Sequence, residues 1–133
     1  MERTIIVLME KEKETGNFIR EIESYDIEKS ELISSLYAIN NEGELDIYLT
    51  LSTERDLEEW EYTAFYDYID LDSLKGLYDD VEELDDTFNP AFKFKLSYSE
   101  EDMEEKLNNF VDLYFDEVSK VYDEIKDLKE EYI

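Results

Sequence analysis

The chain has 133 residues, 39 Asp/Glu against 13 Lys/Arg, a formal net charge of −26, and neither cysteine nor histidine. That length fits one domain, spanning residues 1–133, and a composition 42% hydrophobic and 14% aromatic supplies a core that an acidic disordered tail lacks. The missing residue types exclude disulfides, thiolate nucleophiles, Cys-ligated zinc and histidine acid–base chemistry. The charge opposes direct contact with nucleic acid or an anionic membrane surface.

Thr4–Met9 is a β-branched and aliphatic run suited to a buried strand. Its apolar part, Ile5–Met9, is far too short to span a membrane, so a cytoplasmic location is expected. The charged stretch Glu10–Gly16 and the loosely alternating Asn17–Ser24 complete a hairpin, with Gly16 supplying the positive φ of its turn. Tyr25–Ser35 reads either as a short helix capped by Asp26 or as a lead into the next strand. Leu36–Ile39 is a strand, Asn40–Gly43 a second turn, and Leu45, Ile47, Leu49 and Leu51 alternate with polar neighbours, predicting a second hairpin with those four facing the core.

At Ser52–Asp56 the period changes. Thr53 with Asp56 resembles a capping box, and Leu57, Trp60, Ala64, Phe65, Tyr68 and Ile69 fall on one helical face, with Trp60 expected in the core. A break near Asp70–Gly76 leads into a looser second helix carrying Leu74, Leu77, Tyr78, Val81 and Leu84 up to Asp86. Phe92, Phe94 and Leu96 alternate with Lys93, Lys95 and Ser97 in a further strand, Ala91–Tyr98, the one basic island of the chain. Ser99 and Asp102 cap a last amphipathic helix of about 30 residues, its stripe running from Met103 to Tyr132. The width of that stripe, with Tyr114 and Phe115 both on it, favours packing on a sheet over a coiled coil, and an overhanging tail offers a route to a homodimer through this C-terminal helix. The expected fold class is therefore α+β: an antiparallel sheet of two β-hairpins plus a further strand, packed by a central acidic helix and the long C-terminal amphipathic helix.

No pattern singles out catalytic residues. With 39 acids, pairs such as Asp79-Asp80 or Asp85-Asp86 occur by chance. Asp67, Asp70 and Asp72 could converge on a divalent cation, but Leu74 stands where a calcium loop begun at Asp70 needs an oxygen ligand. Three scattered glycines form no phosphate-cradling loop. The expectation is a protein that is not an enzyme and uses no cofactor and no metal.

The functional signal is charge. Glu54–Asp86 holds 14 Asp/Glu against Arg55 and Lys75, a net of −12 over 33 residues, threaded with aromatic side chains. Dense surface carboxylates imitate a phosphate backbone, which carries about one charge per 1.7 Å of duplex axis, and they attract Lys/Arg-lined channels at long range. The residues expected to bind a partner are Glu58, Glu59, Glu61, Asp67, Asp70, Asp72, Asp79, Asp80, Glu82, Glu83, Asp85 and Asp86. In size, acidity and lack of catalytic residues the chain resembles the small nucleic-acid mimics of phages and mobile elements, including inhibitors of CRISPR nucleases and restriction enzymes. That resemblance is one of physical class, without a motif, so it transfers no residue roles. It implies a basic protein partner such as a nucleic-acid-processing enzyme, with no direct nucleic-acid or membrane contact. Leu8–Gly16 and Asp56–Tyr62 also resemble segments of a family of small uncharacterised bacterial proteins. That second resemblance implies the alternative, a cytosolic interaction or regulatory protein whose acidity is incidental.

Overall fold

The computed structural model describes residues 3–133. Six strands form one sheet in the order β2-β1-β3-β4-β6-β5, with helices on one face. β1 (Arg3–Lys11) and β2 (Phe18–Glu28) make the first hairpin, and β3 (Ile33–Asn41) and β4 (Glu44–Leu51) the second. Gly16 at φ +74° and the pair Glu42 (φ 56°) and Gly43 (φ 94°) turn the two hairpins. The Asn40 side chain accepts the Gly43 N–H at 2.9 Å. Of the two readings of Tyr25–Ser35, the lead into a strand is the one found. β2 continues to Glu28, Lys29 adopts a left-handed conformation, and one 3-10 turn, Ser30–Leu32, delivers the chain to β3.

The sheet is mixed where a purely antiparallel one is expected from two hairpins. β3 lies beside β1, and Met9–Lys11 pair in parallel with Tyr37–Ile39. The reason is on the far side of β2. The N–H of Asp26 donates to Glu104 Oε1 at 2.6 Å and the N–H of Glu28 to Asn108 Oδ1 at 2.9 Å, while Asn108 Nδ2 donates to the Asp26 carbonyl at 3.0 Å. Side chains of the last long helix thus occupy the Asp26–Glu28 end of the β2 edge, and the second hairpin docks on β1.

The inward rows are those the period-2 pattern predicts. Ile47, Leu49 and Leu51 are fully buried and Leu45 is half-buried. β6 (Ala91–Ser97) buries Phe92, Phe94 and Leu96. α1 (Glu59–Tyr68) buries Ala64 and Phe65, leaves Trp60 half-buried, and exposes Tyr68, which the helical face had placed inside. α2 (Met103–Ile125) crosses the sheet, with Phe110 4.8 Å and Tyr114 6.0 Å from Phe94, ring centre to ring centre. Rings at these separations interlock edge to face, and truncating one to alanine costs about 3–5 kcal/mol.

Three expected elements differ. The looser helix over Leu71–Asp86 is absent: after a 3-10 turn at Asp72–Leu74 and Gly76 at φ +89°, Asp80–Leu84 forms β5, the second edge of the sheet. Backbone pairing to β6 outweighs the helical spacing of Val81 and Leu84, since Val81 faces Phe94 across the ladder. The helix start also shifts. Thr53 is buried and donates its hydroxyl to the Arg55 carbonyl at 2.7 Å, so α1 is capped later, at Glu58, whose N–H donates to Glu61 Oε1 at 3.0 Å. The last helix is two pieces. α2 begins at Met103 with Asp102 as its N-cap, Ser99 donating its hydroxyl to the Asp102 carboxylate, and α2 ends at Ile125. α3 (Lys129–Tyr132) then packs back on α1, with Tyr132 6.3 Å from Trp60 between ring centres. No helix among the described residues is long and apolar enough to cross a membrane.

Candidate functional site

The acidic segment wraps the β6–β5 end of the sheet, and a set of mostly half-buried hydrogen bonds holds it there. Glu54 accepts the Tyr122 hydroxyl at 3.1 Å, and the Arg55 guanidinium lies 4.3 Å from the Tyr122 ring centre, tying the entry of α1 to α2. Asn89 accepts the Leu57 N–H at 2.9 Å and donates to Asp56 at 3.0 Å. On α1, Tyr66 reaches down to the sheet: its hydroxyl donates to the Leu84 carbonyl and accepts the Ala91 N–H at 2.9 Å. Ser73 donates to Glu117 of α2 at 3.0 Å, fixing the 3-10 turn.

Within this frame the twelve candidate acids fall into three groups. Glu58 caps α1 and Glu59, Glu61 and Asp67 lie on it; Asp70 and Asp72 lie at the turn below it; Asp79, Asp80, Glu82, Glu83, Asp85 and Asp86 lie in and beside β5. All except Glu61 are exposed. Among the described residues Glu61 is also the one member in an ion pair, with Arg55 at 3.0 Å. The Arg55 guanidinium, with help from the Glu58 N–H, holds the Glu61 carboxyl below the ordinary glutamate range against the opposing effect of burial.

Several of the others serve the fold. Glu58 accepts the Trp60 indole N–H at 2.8 Å, and Asp67 accepts the Tyr132 hydroxyl at 2.8 Å. That hydrogen bond to a carboxylate pushes the Tyr132 phenol up to about 12. Asp70 accepts the Asp72 N–H at 2.9 Å, and Asp79 accepts the Ser97 hydroxyl at 2.9 Å. Asp80 accepts the Val81 N–H at 2.9 Å. Asp67, Asp70 and Asp72 do not converge, and no group of three or more acidic side chains among the described residues is placed to hold a metal ion. The arrangement suits many weak, additive contacts to cations on another molecule, because each carboxylate stays hydrated while the group raises the local field.

Two features escaped the sequence reading. The first is the capping of the β2 edge by Glu104 and Asn108, which an i, i+4 pair on an acidic helix face does not announce. The second is the face of the sheet opposite the helices. There Tyr37 and Tyr48 stack with ring centres 5.4 Å apart, Lys11 Nζ lies 4.1 Å from the Tyr37 centre, and Lys93 Nζ lies 5.2 Å from that of Tyr48. The available signal was the outward phase of the same alternations, Tyr48 in β4 and Lys93 in β6. Acids are not confined to the 54–86 segment, since the exposed face of α2 carries Glu105, Asp116, Asp123 and Glu124.

Residues 1–133 match a family described as "Family of unknown function (DUF6762)". No curated protein and no solved structure matches the chain.

Proposed function

The chain belongs to the DUF6762 family, and we propose that it is a non-enzymatic acidic binding protein whose α1–β5 end engages a basic partner, acting as an inhibitor or nucleic-acid mimic toward a nucleic-acid-processing enzyme. One observation carries this reading: eleven of the twelve acids at that end are exposed and stand outside any ion pair among the described residues. The chain has 13 cations, yet at this end they neutralise a single member of the twelve.

Charge density supports the comparison with a phosphate backbone. Six carboxylates occupy the eight residues Asp79–Asp86. At about 3.3 Å rise per residue that is one charge per about 4–5 Å, near the 3.4 Å per phosphate of one DNA strand. Exposed charges of this kind speed encounter and weaken with salt.

A second reading has its own observation. β5 is a sheet edge, and acids along an edge strand, with Asp80 occupying the Val81 N–H, protect against edge-to-edge aggregation. Acidity would then be incidental to partner choice. Affinity capture from host lysate separates the two, using the native chain and two variants. One carries amides at Asp79, Asp80, Glu82, Glu83, Asp85 and Asp86; the other carries amides at Asp116, Asp123, Glu124, Asp127, Glu130 and Glu131. The expected result is a nucleic-acid enzyme retained by the native chain and the second variant, lost by the first, and displaced by duplex DNA. Recovery of generic basic proteins alone, or equal loss in both variants, overturns the proposal.

A further inference from the structure

β1 is apolar on both faces, yet the fold covers only one. Ile6 and Leu8 turn toward the helices, whereas Ile5 and Val7 point the other way and remain 61% and 41% exposed. A sheet with one solvated face alternates apolar and polar residues. β4 obeys this, with Asp46, Tyr48 and Thr50 outward; β1, an interior strand, does not. The outward row continues across the sheet. Met9 is paired with Tyr37, Tyr37 stacks on Tyr48, and Phe18, 61% exposed, sits 5.4 Å from Lys11 Nζ.

This face also sets cations among its acids, in a chain carrying −26. Lys11 and Lys93 lie over the tyrosines, outside any ion pair among the described residues. Lys95 is 3.8 Å from Asp46, Glu82 is paired across strands with Lys93, and Arg3 bonds Asp26 at 2.9 Å. By register Glu21, Asp26, Glu28, Glu44, Asp46, Asp80 and Glu82 share this face with Arg3, Lys11, Lys93 and Lys95, so both signs are interspersed and the face is far less one-sided than the rest of the chain.

We propose that the helix-free face is the contact between two copies of this chain, packed sheet on sheet. Three arguments select a second copy. An isologous contact needs a surface tolerable to itself, and this one is apolar with both signs of charge, whereas the α1 and α2 surfaces would set acid against acid. Sheets pack about 10 Å apart and each helical layer adds about 10 Å, so the outer acidic faces of the two copies stand about 30 Å apart, beyond a Debye length of about 8 Å. Six strands at about 4.8 Å spacing, each about seven residues long, offer about 600 Å² per copy, or about 1,200 Å² in total, within the range of specific interfaces.

Such a dimer strengthens with salt, because salt screens residual repulsion and leaves apolar burial intact. The partner binding proposed above weakens with salt, so the two proposals fail independently. The test is sedimentation and light scattering of the full chain up to about 100 µM in about 0.1–1 M NaCl. The expected result is a doubled mass that persists to lower concentration at high salt. Ile5→Glu and Val7→Glu should each weaken dimerisation at least about tenfold by burying a carboxylate. Both positions are exposed in the single chain, so folding is retained, as circular dichroism will check. Amine labelling adds an arm without mutation: Lys11 and Lys93 should lose reactivity on concentrating the protein, while Lys129 should not. A monomer at the highest concentration and salt, with unchanged labelling, overturns the proposal. So does a dimer insensitive to both substitutions, and so does occupation of this face by a different protein while the chain stays monomeric.

Discussion

Asn108 of α2 meets Asp26 of β2 as a neighbouring strand would, its Nδ2 donating to the Asp26 carbonyl at 3.0 Å while its Oδ1 accepts the Glu28 N–H at 2.9 Å. One side chain thus satisfies a donor and an acceptor of an edge strand. Asn108→Leu should leave both groups without their protein partner and cost about 1–3 kcal/mol in urea unfolding. Asn108→Asp keeps the acceptor, loses the donor and adds a charge beside Asp26. Amide exchange at Glu28 should accelerate strongly in the first variant and less in the second. Equal protection in all three proteins would refute the edge-capping role.

Tyr66 is the corresponding tie at the other end. Its hydroxyl joins α1 to the Leu84 carbonyl of β5 and the Ala91 N–H of β6. Burial holds this phenol far above its ordinary range, so it stays neutral and able to donate. Tyr66→Phe should lower stability by about 1–2 kcal/mol and increase exchange of Ala91, with ring packing on Phe92 retained. An unchanged unfolding midpoint would show that water replaces the bond at no cost.

Arg55 and Glu61 give a pH prediction. The folded-state pKa of Glu61 lies below its ordinary value of 4.5, chiefly through the Arg55 hydrogen bond. A carboxyl depressed on folding contributes its full stability above the unfolded pKa and loses it as pH falls through the folded value. The stability difference between the native chain and Glu61→Gln should therefore be about 1 kcal/mol or less near neutrality, because the Arg55 side of the ion pair stays open to solvent. It should vanish as pH drops well below 4.5. A difference that grows on acidification would contradict the assignment. Relief of general self-repulsion acts in the opposite sense in both proteins and cancels in the comparison.

The whole chain should respond to salt. A net charge of −26 opposes compaction, and the repulsion is screened over about 8–10 Å at physiological ionic strength. The melting temperature of the native chain should rise from low to high NaCl and rise further with divalent cations. A flat or falling trend would show that the carboxylates are already compensated within the fold.

The fold was legible where one face of an element is buried and the other wet. Leu45, Ile47, Leu49 and Leu51 declared β4, and Met103, Leu107, Phe110, Tyr114, Val118, Val121 and Ile125 declared α2. It was illegible where local pattern and long-range pairing disagree. Val81 and Leu84 sit at helical spacing, but β6 offers Asp79–Leu84 a backbone ladder that no local window contains. The same holds for the cap of α1, which moved from Thr53 to Glu58 because Thr53 is enclosed by the core.

The candidate acids were legible as residues and illegible as a surface. Their exposure follows from the cost of burying unpaired charge, which composition alone imposes. Their division among α1, the Asp70–Asp72 turn and β5 does not, since it depends on Tyr66 and Asn89 anchoring distant segments.

The sequence by itself determined an acidic, α+β chain with two hairpins and a long amphipathic C-terminal helix, because periodicity and charge are local and each residue carries its own hydration cost. Only the tertiary structure decided that β1 lies parallel to β3, that α2 caps the end of one sheet edge while β5 forms the other, and that Ile5, Val7, Tyr37 and Tyr48 share an uncovered face. Those outcomes depend on hydrogen-bond partners and packing surfaces brought together from far along the chain, and no local pattern records which of them will meet.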